Sequence, residues 1–169
     1  MTGREIEIER KWLLARAPAA GELAALGARP FEIEQVYLTP TAGAPVRRIR
    51  RSRGADGRAI CRYTEKAPIA GLVRAERERE IAPDEYERLL AEADPALVPI
   101  RKTRHVFEYA GRTLELDVFA APPELVLLEV EIDDPAEMPD LPPALAVVRE
   151  VSDDPAYFNV NLARARGPG

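Results

Sequence analysis

Glu5-Ile6-Glu7-Ile8-Glu9-Arg10-Lys11 alternates charged and apolar residues with a period of two, the signature of a strand with two unlike faces. Glu5, Glu7, Glu9 and Lys11 share one face; Ile6, Ile8 and Trp12 share the other. A row of carboxylates along one strand repels itself unless cations face it. The stretch therefore predicts an oppositely charged wall elsewhere in the chain.

The same alternation recurs along the sequence. In Phe31 to Leu38, Ile33, Gln35 and Tyr37 fall on one side. Val46 to Arg51 sets Arg48 beside Arg50, and Asp56-Gly57 signals a hairpin into Ala59 to Lys66, which aligns Arg62, Thr64 and Lys66. Arg74 to Ile81 puts Arg74, Glu76, Glu78 and Glu80 opposite Arg77 and Arg79. A strand with no apolar face cannot be a central layer of a sandwich, but a barrel with a polar lumen can use it. Ile100 to Phe107 pairs Lys102 with Arg104. Thr113 to Phe119 sets Glu115 and Asp117 against Leu114, Leu116 and Val118, and Leu127 to Ile132 sets Glu129 and Glu131 against Leu128, Val130 and Ile132.

Helical spacing is confined to three stretches. Ala17 to Leu26 reads as a short helix ended by Gly27. Ala82 to Ala93 has Pro83 suited to the first helical position and an apolar stripe of Tyr86, Leu89, Leu90 and Ala93. Pro155 to Arg164 reads as a C-terminal helix, and the Pro-rich tail from Asp133 that precedes it reads as irregular.

The chain of 169 residues suits one domain, residues 1–169, and its hydrophobic share of 46% is that of a globular protein. Acids and bases are abundant and nearly balanced, with a net charge of -5, which argues against a nucleic-acid partner. Cys61 is the only cysteine and His105 the only histidine, so a Cys/His zinc site is excluded and any metal falls to carboxylate oxygens, which suits Mg²⁺ or Mn²⁺. The sequence shows neither an apolar signal core nor a run long enough to span a bilayer. A cytoplasmic protein, monomer or homodimer, without a membrane partner is the expectation.

Collected by face, Lys11, Arg48, Arg50, Lys66, Arg74, Lys102 and Arg104 form a basic set. Glu7, Glu9, Glu76, Glu78, Glu115, Asp117, Glu129 and Glu131 form an acidic one. About eight strands closed into a barrel leave a lumen for side chains and one small ligand. Burying so many ions costs several kcal/mol for each that is unpaired, so stability does not explain them. A polyphosphate with a divalent cation would partner both sets.

Glu7-x-Glu9-x-Lys11 resembles the E-x-E-x-K signature of the CYTH superfamily, the triphosphate tunnel metalloenzymes. Arg48-Ile49-Arg50, Thr64-x-Lys66, Arg74-x-Glu76-x-Glu78, Lys102-Thr103-Arg104, Glu115-Leu116-Asp117, Glu129-Val130-Glu131 and Glu150-Val151-Ser152 are similar to the family's later motifs, in order. His105 stands where a tyrosine is common, and Ser152 replaces the usual threonine.

The resemblance implies a mainly β (α+β) fold, a closed eight-stranded antiparallel β-barrel or tunnel with a few peripheral helices. It also implies a Mg²⁺- or Mn²⁺-dependent enzyme acting on a small-molecule triphosphate. By position, Glu7, Glu9, Asp117, Glu129 and Glu131 would be metal ligands, and Lys11, Arg48, Arg50, Lys66, Arg74, Lys102 and Arg104 would bind triphosphate. Lys11 with Tyr37 would be catalytic, and Lys102 is a further proton-transfer candidate because neighbouring cations loosen its proton. Inorganic triphosphatase is the favoured activity. Class IV adenylyl cyclase, thiamine triphosphatase and a non-catalytic polyphosphate binder are the alternatives. Glu129→Gln is expected to abolish metal-dependent turnover while leaving the fold intact or more stable.

Overall fold

Each alternating stretch forms a strand, and the strands join in one antiparallel sheet that closes on itself. The structure, a computed structural model, describes residues 5–121 and 124–164. In chain order the elements are β1 (Glu5–Leu14), α1 (Ala20–Ala25), β2 (Arg29–Tyr37), β3 (Val46–Gly54), β4 (Ala59–Ala70), β5 (Val73–Ile81) and α2 (Pro83–Leu89). They continue with β6 (Ile100–Tyr109), β7 (Arg112–Phe119), β8 (Val126–Glu131), β9 (Val147–Glu150) and α3 (Asn159–Arg164). The sheet runs β5-β4-β3-β2-β6-β7-β8-β1-β9, and a further β5–β1 pairing closes the first eight strands into a barrel.

β1 is the closing strand. Its first half pairs with β5, from Glu5 opposite Glu76 to Ile8 opposite Val73. Its second half pairs with β8, from Glu9 opposite Glu131 to Leu14 opposite Val126. Where β5 ends, β9 takes the vacated edge and sets Trp12 opposite Glu150. This ninth strand lies in the Pro-rich tail that reads as irregular, because four residues are too few for a period to register.

The apolar face of the alternation points outward, which inverts an ordinary barrel-like core. Ile8, Trp12 and Leu14 of β1 pack with Leu114, Leu116, Leu128 and Val130 beneath the covering segments that supply Leu26, Leu141 and Leu145. Val36, Ile49, Cys61 and Ile81 pack under Tyr86 of α2. Burial of these side chains, at about 25 cal/mol per Å² of apolar surface, is the main favourable term. It holds the barrel from outside and leaves the lumen to polar groups.

One end of the lumen is an exception. By strand alternation Leu13, Tyr37, Ile100, Phe119 and Leu127 continue the inward-facing rows, and they pack with Val151, Tyr157, Val160 and Ala163 of the C-terminal segment. The inward rows of β1, β6, β7 and β8 are thus charged deeper in the lumen and apolar at this end, and the uncharged row of β2 ends there on Tyr37. The barrel therefore has a floor.

The helices are shorter than helical spacing predicts. Beyond α2 the chain tightens into a 3₁₀ turn at Leu90–Glu92. The C-terminal stretch is a 3₁₀ turn over Pro155–Tyr157 followed by α3, divided at Phe158, whose ψ of 132° is extended. The β6–β7 hairpin turns on Ala110 (φ 48°) and Gly111 (φ 76°), both in the left-handed region that a tight two-residue turn demands. No described helix is long and apolar enough to cross a membrane.

Candidate active site

Closure brings the inward rows around a cavity of about 370 Å³ lined by Glu7, Glu9, Arg48, Arg50, Lys66, Lys102, Arg104, Glu129 and Glu131, with Gln35, Glu76, Glu78, Thr113, Glu115 and Asn159. Sheet order sorts the charges. Cations come from the contiguous strands β4, β3 and β6, with β2 between them contributing Gln35. Carboxylates come from the contiguous strands β7, β8, β1 and β5. The lumen therefore has one positive and one negative half-wall.

Where the half-walls meet, ions pair. Lys66 bonds Glu7 and lies 3.4 Å from Glu76. Arg104 bonds Glu115 and reaches Glu129 at 3.0 Å. Lys11, the cation set within the negative wall, lies 3.1 Å from Glu129 and donates to the Tyr157 carbonyl at 3.3 Å.

Several lumen atoms nonetheless lack a hydrogen bond, two of them carboxylate oxygens that have only an ion-pair contact. Among the described residues, Arg48 Nε, Arg50 Nε, Glu76 Oε2, Glu129 Oε1 and Asn159 Oδ1 are buried without a hydrogen bond. Arg50 reaches only Glu78, at 3.4 Å, and burial with neighbouring Arg48 and Arg104 lowers its pKa. Buried polar atoms are ordinarily satisfied. This many exceptions around one cavity marks a site arranged for something else.

Titration behaviour divides the candidate proton carriers. Burial opposes the Lys11 ammonium, but Glu129 and Glu9 outweigh it and raise the pKa. Tyr37 is raised by burial against the opposing pull of Arg48, and its hydroxyl accepts from Gln35 Nε2 at 3.0 Å. Lys102 is lowered, chiefly by burial and further by Arg104, although Asp117 works the other way. The direction matches the expectation for Lys102, but burial rather than crowding is its first cause.

Asp117, expected as a metal ligand, is engaged by two cations. It is fully buried, does not line the cavity, and its oxygens are taken. Oδ1 accepts from Arg104 Nε at 2.7 Å; Oδ2 accepts from Arg104 Nη2 at 2.8 Å and Lys102 Nζ at 2.5 Å. Its pKa is lowered, burial being outweighed by Arg104 and Lys102. In this arrangement it anchors two cations.

Arg74, expected among the lumen cations, sits at a side opening. There a second cavity of about 250 Å³ is lined by Lys11, Tyr37, Val46, Leu72, Arg74, Ser152, Phe158 and Val160, and shares Glu7, Glu9, Arg48, Lys66 and Asn159 with the first. Arg74 bonds the Val73 carbonyl at 3.1 Å and lies over the Phe158 ring at 5.9 Å. Ser152 receives the Lys11 backbone N–H at 2.9 Å and donates to Glu150 at 2.6 Å. Both fix β1 from behind.

The carboxylate wall suits a hard divalent cation in its chemistry. Glu9 is pushed up to about 8 by burial and Glu129, against Lys66 and Lys11, and burial with Glu7 and Glu76 raises Glu131. Acids held this high are short of positive charge, and oxygen donors are what Mg²⁺ and Mn²⁺ take. As placed, no three acids among the described residues converge closely enough to cage an ion, so binding entails side-chain rotation.

Sequence reasoning placed Gln35, Glu76, Glu78 and Glu115 on inward rows without assigning them roles. It missed Asn159, which no alternation signals because α3 brings it from outside the barrel.

No protein-family model matches the chain. An inorganic triphosphatase of Acetivibrio thermocellus is 35% identical over 102 residues, which are 60% of this chain and 64% of that protein, so the likeness spans just under two thirds of the relative's length. The solved structure of the inorganic triphosphatase NE1496 matches with a TM-score of 0.59 at 29% identity, covering 94% of this chain and 97% of that one. A putative adenylate cyclase from Bacillus halodurans shares the fold, with a TM-score of 0.53 and 16% identity over 79% of this chain and 86% of its own. The chain is similar in sequence to an inorganic triphosphatase and closes into the same antiparallel barrel as NE1496.

Proposed function

We propose that the protein is a Mg²⁺- or Mn²⁺-dependent hydrolase of inorganic triphosphate. The observation that carries this reading is the split lumen: Arg48 and Arg50, each with an Nε that lacks a hydrogen bond, face a wall of carboxylates across one cavity. A bare phosphate chain with a divalent cation meets both needs at once. The lining of the main cavity contains no aromatic or aliphatic side chain, so it offers a base or a thiazolium ring nothing to stack on. That favours inorganic triphosphate over nucleotide or thiamine triphosphate.

On this reading Arg48, Arg50, Lys66 and Arg104 hold the phosphoryl oxygens, and Asp117 keeps Arg104 and Lys102 aimed at them. Arg74 serves the side opening. Glu7, Glu9, Glu129 and Glu131 hold the metal, which supplies Lewis-acid polarisation of the phosphoryl oxygens when bound. Water attacks a terminal phosphorus, one P–O–P bond breaks, and orthophosphate and pyrophosphate result. Lys11 and Tyr37 keep their protons and act as donors at the departing oxygen, whereas Lys102 Nζ is the ammonium that burial makes readiest to give up a proton. Charge stabilisation by fixed cations is the largest contribution.

Incubating the purified protein with triphosphate, ATP or thiamine triphosphate plus each metal tests the proposal. Orthophosphate from triphosphate exceeding every other product supports it. Cyclic AMP forming from ATP faster than phosphate is released overturns it.

A further inference from the structure

Among the described residues that line the main cavity, Asn159 is the one not carried by a strand. It opens α3, beyond the extended Phe158. Together with Glu7, Glu9, Arg48 and Lys66 it lines both cavities, which places its amide at their junction. Its Oδ1 is buried with no hydrogen-bond partner among the described residues. The segment that delivers it is tied down on both sides. Lys11 Nζ donates to the Tyr157 carbonyl at 3.3 Å, Asn161 donates to the Pro155 carbonyl at 2.7 Å, and the Arg74 guanidinium stands 5.9 Å from the Phe158 ring.

A buried carbonyl oxygen left without a donor costs about 1–3 kcal/mol in free energy, so packing alone does not account for the amide there. An amide can offer either its oxygen or its two N–H donors in one direction by a half-turn of its terminal torsion. At this junction the neighbouring cations, Arg48 and Lys66, mark where a phosphoryl group would rest.

We propose that Asn159 is a substrate-contacting residue whose side-chain amide donates a hydrogen bond to the phosphoryl group lodged between Arg48 and Lys66. The inference rests on the proposed triphosphate site and adds to it a donor supplied by the C-terminal segment.

The test compares wild type, Asn159→Ala and the isosteric Asn159→Asp for triphosphate turnover, with melting temperature and calorimetric binding of inorganic triphosphate measured on each. One hydrogen bond to a charged group corresponds to a loss of about tenfold to a hundredfold, so Asn159→Ala is expected to lose that much in kcat/KM and to bind triphosphate correspondingly more weakly. Asn159→Asp, which sets a carboxylate against the phosphate, is expected to lose more than Ala while melting close to wild type. Wild-type turnover in the same assay reports separately on the triphosphatase reading. With that turnover present, equal kcat/KM for wild type and Asn159→Ala overturns the role of Asn159. Activity in Asn159→Asp matching or exceeding wild type also overturns it, because the cavity-facing atom would then be an acceptor.

Discussion

Replacing Arg50 by Met should move stability and affinity in opposite directions. Arg50 is mostly buried beside Arg48 and Arg104, its Nε has no hydrogen-bond partner, and its guanidinium meets Glu78 at the long distance of 3.4 Å. Methionine keeps much of the apolar stem and removes the charge. Exchanging poorly compensated buried charge for a hydrophobic group of similar volume is worth about 1–4 kcal/mol. For a chain of this size each kcal/mol is roughly 2–4 °C, so the ligand-free protein should melt several degrees higher. Loss of hydrogen bonds to a charged phosphoryl group, at about 1.5–3 kcal/mol each, should weaken triphosphate binding roughly tenfold to 150-fold. Scanning calorimetry without ligand and titration calorimetry with triphosphate read the two effects. Arg77→Met, on the exposed outward face of β5, is the control and should change neither much. An Arg50→Met protein that melts several degrees lower and binds triphosphate within about twofold of wild type would refute the reasoning, since Arg50 would then be structural.

Glu129 should behave in the reverse way: it is held by Lys11 at 3.1 Å and Arg104 at 3.0 Å, and its pKa is held well down by Lys11 and Arg104 despite burial. Glu129→Gln is expected to abolish turnover and to cost about 3–5 kcal/mol in a denaturant titration, the usual result of breaking a buried pair. Asp117→Ala leaves Lys102 and Arg104 unanchored and should destabilise comparably, with Mn²⁺ affinity in the folded variant changing little if Asp117 is an anchor and falling sharply if it is a ligand. Glu9 has a folded pKa near 8 against 4.5, so the folded state retains a proton that the unfolded chain releases; its contribution is intact below about 4.5 and is lost as pH rises towards 8. Melting temperature should therefore fall between those pH values more steeply in wild type than in Glu9→Gln. Ala110, at φ 48°, bears a strain of about 1–2 kcal/mol for a left-handed non-glycine residue, and Ala110→Asn should raise the melting temperature without touching activity.

Much of the barrel is legible in the sequence because its strands carry charge on a strict period of two, and that period survives even where both faces are polar, as in Arg74 to Ile81. The tail from Asp133 is not legible. Its strand is short, and its leucines look unpatterned because they cover the outside of β1, β7 and β8 instead of belonging to a periodic element. Among site residues, which face each occupies follows from alternation, but depth does not. Lys102, Arg104 and Asp117 lie on one inward face, yet only the two cations reach the cavity while Asp117 is spent behind them. Pairing is equally hidden. Arg50 and Glu129 look alike as buried ions, and only the geometry shows one short of partners and the other well supplied. That supply of partners is why a loss of stability in Glu129→Gln is expected, where the sequence alone suggests a fold left intact or more stable.

The most direct test of a split lumen built for a metal-bearing phosphate chain is titration calorimetry of inorganic triphosphate into the protein with and without Mn²⁺, set beside Arg48→Ala and Glu9→Gln. The account predicts that Mn²⁺ strengthens triphosphate binding, that Arg48→Ala weakens binding under both conditions, and that Glu9→Gln weakens it only when Mn²⁺ is present. Binding of equal strength in all three proteins, with or without the metal, would contradict it.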